Sequence, residues 1–106
     1  MMSIKSIITD DIEMLTEDLV NKWNSVAPIL RDKYISDTKD IGGAVAFKYK
    51  HDFIGLLLYL DIPKELHYPH MVVNGIKSSY DYKGDVNIIN ILNFSEAGNY
   101  YELFTN

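Results

Sequence analysis

Apolar residues recur at spacings of three and four along the first third of the chain. Ile12, Leu15, Leu19, Trp23, Val26 and Leu30 fall on one helical stripe, and Asp11, Glu13, Glu17, Asp18 and Asn21 fill the other face. Asp10 can cap such a helix while Glu13 reaches back, a D-x-x-E capping box, and acids in the first turn suit the positive end of the helix dipole. Pro28 lacks an N–H and clashes one turn back. The pattern therefore predicts a stop near Asn24 or Ser25 and a second short helix from about Pro28 to Tyr34, with a single kinked helix as the alternative. Ile4, Ile7 and Ile8 carry the helical spacing backwards, so residues 3–9 read as helix or as an extended arm.

After Tyr34 the pattern changes. Residues 36–43 are loop by composition. Residues 44–49 read as a strand, followed by a turn at Lys50-His51-Asp52. The unbroken apolar run from Phe53 to Leu60 reads as a strand buried on both faces, ended by Pro63. Asn74-Gly75 carries the residue types of a type I′ hairpin turn, which pairs residues 70–73 with 76–82. Residues 86–94 have Asn at 87, 90 and 93, a spacing that suits neither a clean strand nor a clean helix. The polar stripe is compatible with one helix face, but β-branched content favours a strand, with a bulge near Ile88-Ile89, and a strand is the expectation. Ser95 to Phe104 is a capped helical turn or a last aromatic strand. The expected architecture is α+β: one or two N-terminal helices packed on an antiparallel meander sheet of four to five strands. It divides into a helical part (1–35), a sheet (44–94) and a C-terminal tail (95–106) of one domain.

Composition narrows the function. The 106 residues, 47% of them hydrophobic, suffice for one core. The longest apolar run falls short of the roughly 20 residues of a membrane span, and the first residues lack the pattern of a signal peptide, so an intracellular location, in a cell or within a virion, is expected. Without cysteine there are no disulfides, thiol nucleophiles, cysteine zinc sites or iron–sulfur clusters. Net charge is −5, no basic stripe is present, and Arg31 is the sole arginine, which speaks against a nucleic-acid partner. Lysine, isoleucine, asparagine and tyrosine are abundant, as in proteins of A/T-rich genomes such as those of low-GC bacteria and their phages.

Candidate chemistry is sparse. His67 and His70 are three apart, but Pro69 favours an extended segment, in which the two rings reach one ion only with a polyproline-like twist, and His51 or Asp52 would have to complete the site. His51-Asp52 pairs a base with a carboxylate, yet neighbours in sequence point apart in a strand, and no nucleophile motif accompanies them. Gly42-Gly43 lacks the Lys-Ser/Thr of a phosphate-binding loop. No cofactor is expected. The acidic residues Asp10, Asp11, Glu13, Glu17 and Asp18 form either a solvated helix face or a dock for a basic partner. Tyr80, Tyr82, Tyr100 and Tyr101 are candidate interface anchors, with Tyr80 and Tyr82 on one strand face. The reading is a non-catalytic acidic protein that works by contact with another protein, either as a phage assembly subunit or as an inhibitor or accessory protein of a host enzyme. Exposed sheet edges suggest a homo-oligomer. The alternative is a small enzyme or a metal- or ligand-binding domain using His51, His67 and His70.

Overall fold

The computed structural model of this protein describes residues 15–106. The first helix, α1 (Glu17–Lys33), is opened by Thr16, whose Oγ1 accepts the Leu19 N–H at 3.1 Å. Glu17 and Asp18 sit at its positive end and Arg31 and Lys33 at its negative end. Its buried stripe is Leu19, Trp23, Ala27 and Leu30, as the apolar spacing requires. The expected capping box at Asp10 and Glu13 lies outside the described residues.

The expected break before Pro28 does not occur, and α1 runs through it. Pro28 lies on the exposed side, so its lost hydrogen bond faces water, whereas a break would pull Leu30 out of the core. Pro28→Ala restores that backbone bond, at the expense of a freer unfolded chain. It should raise stability by about 1 kcal/mol, read as a shift of the urea midpoint without a change in slope.

The sheet differs most from expectation. Among the described residues it has two antiparallel strands, β1 (Ile35–Asp40) and β2 (Ile88–Leu92), with a bulge between Ile35 and Asp37. The four- to five-stranded meander is therefore not formed, although the α+β class stands. Residues 36–40, expected as loop, are β1. Residues 44–49, expected as strand, fall largely in helix α2 (Gly42–Lys48), and the apolar run from Phe53 becomes helix α3 (Phe53–Tyr59). A short, wholly apolar segment fits a buried helix as well as a buried strand, and here Phe53, Leu56 and Leu57 face inward at helical spacing. Asp52 caps α3 by accepting the Gly55 N–H at 3.0 Å.

The Asn74-Gly75 hairpin is also overturned. Residues 67–73 form helix α4 (His67–Val73), entered through a 3₁₀ turn at Lys64–Leu66. Pro69 falls in the first turn, where a missing N–H is harmless. Asn74 has φ −100°, which a type I′ turn excludes, while Gly75 at +71° ends the helix. The Ile76 N–H reaches the Met71 carbonyl at 2.9 Å and the Gly75 N–H reaches Val72 at 3.1 Å, a Schellman cap. Residues 76–82 contain a 3₁₀ turn, Ser79–Asp81, in place of a strand. The chain closes with α5 (Phe94–Thr105), whose N-cap Asn93 accepts the Glu96 N–H at 3.0 Å.

The core lies where α1, α3, α4, β2 and α5 meet. Trp23, Leu30, Phe53, Leu56, Leu57, Ile89 and Leu92 are essentially fully buried. Helix α1 is tied to α4 by Arg31, which donates to the Val72 carbonyl at 3.2 Å, and by the Tyr68 hydroxyl, which donates to Asn24 Oδ1 at 2.9 Å.

Candidate functional site

The three histidines occupy different environments. His70 is fully buried. Its Nδ1 lies 2.8 Å from the Leu66 carbonyl and must donate there, which leaves Nε2 to accept the Leu92 N–H at 3.1 Å. Both ring nitrogens thus serve the backbone. Burial holds its pKa down to about 4; the hydrogen bond to Leu66 opposes this and nearby His67 adds to it. His67 is also buried, with Nε2 donating to the Ile62 carbonyl at 2.9 Å. His51 sits at a corner with φ +64°; its Nδ1 donates to the Tyr80 carbonyl at 2.9 Å and its ring stacks on Tyr80 at 4.6 Å. Its neighbour Asp52 is committed to capping α3. Among the described residues, no group of three or more His, Asp and Glu side chains is placed to hold a metal ion.

The candidate anchors separate. Tyr82 is in the core, edge-on to Phe53, with its hydroxyl donating to the Val86 carbonyl at 2.6 Å. Burial, with Asp85 nearby, raises its pKa. Tyr80 lies two residues away on the 3₁₀ turn and is 69% exposed, so the two do not share a face. Tyr100 is half-buried between Tyr34 and Phe104. Asp10, Asp11 and Glu13 lie outside the described residues. Glu17 and Asp18 are exposed in the first turn of α1, and Asp18 pairs with Lys22 at 2.9 Å, so one of the two described acids of the expected dock is engaged along the helix itself.

Tyr80 and Tyr101 do come together, at an apolar groove of 330 Å³. Leu15, Leu19, Ile54, Met71 and Tyr68 line it as well. Lys64, Glu65 and Lys77 supply its charged groups, and buried His67 contributes to its lining. The volume lies at the lower end of the range for ligand sites, and the apolar walls with few polar groups are what such sites share. Sequence reasoning found Tyr80 and Tyr101 but missed Tyr68, Met71 and Lys77. Reading residues 67–73 at helical spacing would have set His67 and Met71 on one face.

Comparisons with protein-family models, with curated proteins and with solved structures each return no match. Among the described residues no helix is long and apolar enough to cross a membrane.

Proposed function

We propose that this protein acts by binding another polypeptide, and that the groove between Leu15, Met71 and Tyr80 receives an apolar segment of that partner carrying an acidic residue. The observation that carries this reading is the lining itself. Aliphatic side chains and three tyrosines offer area for an apolar anchor, and Tyr is a residue that concentrates binding energy. Lys64 and Lys77 outnumber Glu65 beside it, although the chain as a whole is acidic, so a carboxylate suits the site better than an ammonium. The enzyme or ligand-domain alternative draws less support, because His70 spends both nitrogens on the backbone and Asp52 caps a helix.

Selection of random displayed peptides against the full chain tests this. Enriched peptides should pair apolar with acidic residues, and Tyr80→Ala and Lys77→Glu should each weaken them by about tenfold, equivalent to losing ~1.4 kcal/mol. Both positions are exposed, so neither change threatens the fold. Absence of any enriched peptide, or binding indifferent to both substitutions, would refute the proposal. Displacement of the peptides by a simple aliphatic carboxylic acid of equal affinity would move the site to small-molecule binding.

A further inference from the structure

The two edges of the sheet are treated differently. On the outer side of β2, the Asn90 N–H goes to Asn74 Oδ1 at 2.8 Å, its carbonyl accepts Asn74 Nδ2 at 3.0 Å, and the Leu92 N–H goes to His70. Two side chains of α4 thereby stand in for a third strand. The outer side of β1 has no such cover among the described residues, and every residue from Ser36 to Asp40 is exposed. Thr38 is paired with Asn90. Because the Asn90 backbone groups point away from β1, this pair is of the non-hydrogen-bonded kind, and the N–H and C=O of Thr38 also face outward. Asp40, two residues on, presents its groups the same way. The Thr38 N–H is held by the carboxylate of its own neighbour, Asp37, at 2.8 Å.

The geometry points to a second copy of this chain as the occupant of that edge, with β1 pairing antiparallel to β1 about a two-fold axis at Thr38. Only outward-facing residues can exchange backbone bonds, so the two-fold axis passes at one of them or midway between two, and centred on Asp40 it sets that carboxylate against its own copy. Centred on Asp37, the pairing sets that carboxylate against its own copy; centred on Lys39, it opposes two ammonium groups. Centred on Thr38, it places Asp37 opposite Lys39 of the second copy on both sides of the axis, with the two threonines facing each other. Self-complementarity about one axis is what a two-fold interface demands. Asp37 then exchanges its hold on the Thr38 N–H for the opposite lysine, and the freed N–H turns to the Thr38 carbonyl of the second copy. The result is a continuous four-stranded sheet. No residue of β1 lines the groove, so this interface is independent of the proposed binding function.

Sedimentation equilibrium of the full chain at concentrations up to about 1 mM tests it. The mass should rise from 12.2 kDa towards twice that value. Lys39→Asp alone and Asp37→Lys alone should each weaken association by tenfold or more, and the double exchange Asp37→Lys with Lys39→Asp should recover it to within about threefold, since opposite charges again face each other. Thr38→Pro removes an N–H that β1 does not use towards β2 and should give a monomer. A wild-type monomer throughout the range overturns the inference. So does a dimer in which the double exchange is no better than the single changes, or one that Thr38→Pro leaves intact.

Discussion

Lowering the pH from 7 to 4 should remove about 3 kcal/mol of stability through His70 alone. In the unfolded chain its imidazole titrates near the ordinary histidine value of about 6.5; in the fold burial holds it down to about 4. The folded-state pKa is depressed, so the neutral ring's contribution is fully present above the unfolded value. It is lost as pH falls from 6.5, where the unfolded chain begins to take up the proton, and the loss levels off near 4, where the folded ring protonates too. Protonation would put a hydrogen on Nε2, against the Leu92 N–H that it now accepts. Among the described residues, the groups recorded at the ring offer no compensating charge: His67 lies on the same helix, Leu66 presents a carbonyl, and Phe94 of α5 meets it edge-on at 5.9 Å. Urea unfolding followed by Trp23 fluorescence at pH 7, 6, 5 and 4 reads the slope. His70→Gln should start less stable but lose the slope in this window. A wild-type midpoint that stays flat between pH 6.5 and 4.5 would show that the ring is not buried and neutral as described.

The helical stripe of α1 was legible because it is long. Four inward positions at regular spacing define a face, and Leu19, Trp23 and Leu30 are buried as that spacing demands. The middle of the chain was not legible, for a physical reason. Helices α2, α3 and α4 are seven residues each, two turns, too short for a period of 3.6 to separate from a run of apolar side chains. In Phe53–Tyr59 nearly every position is apolar, the exposed Leu58 and Tyr59 as much as the buried Phe53, Leu56 and Leu57, so neither alternation nor a stripe survives. The strand β1 fails in the opposite sense: Ser36 to Asp40 are all exposed, and a wholly polar strand carries no pattern. Its identity comes from its partner β2, which local sequence does not reveal.

Residues 86–94 show how one pattern can hold several tasks. Asparagine at every third position suits neither a strand nor a helix as a periodic signal. In the structure Asn87 gives its carbonyl to the Ile41 N–H, Asn90 meets Asn74, and Asn93 caps α5. The candidate site was legible only where single residues announce themselves. Tyr80 and Tyr101 were selected as aromatic anchors and share the groove, while Tyr82, chosen on the same grounds, is core. Which tyrosine is exposed depends on the 3₁₀ turn at Ser79–Asp81, and nothing in its composition distinguishes it from a strand.

Asn74→Ala is the substitution expected to damage the fold most locally. The side-chain amide donates to the His70 carbonyl at 2.7 Å and to the Asn90 carbonyl at 3.0 Å, and its oxygen accepts the Asn90 N–H at 2.8 Å. His70, four residues earlier, stands one turn below and serves Leu92 in the same way. Alanine would remove all three bonds and leave the backbone of Asn90 without its partner in a half-buried seam. At about 1 kcal/mol for each bond the loss is ~3 kcal/mol, a large part of a small domain's stability. Asn74→Asp is nearly isosteric, yet it should be no milder at pH 7: a carboxylate still accepts from Asn90 but sets an oxygen against two carbonyls. Hydrogen exchange separates this from a general weakening. In the wild type at concentrations where the chain is monomeric, the Asn90 and Leu92 amides should exchange slowly although they lie on the outer side of a strand, while the Thr38 amide on the opposite edge, held only by exposed Asp37, exchanges fast. Asn74→Ala should release Asn90 before Leu92, because the Leu92 bond runs to His70. If Asn90 is already as fast as Thr38 in the wild type, helix α4 does not stand in for a third strand.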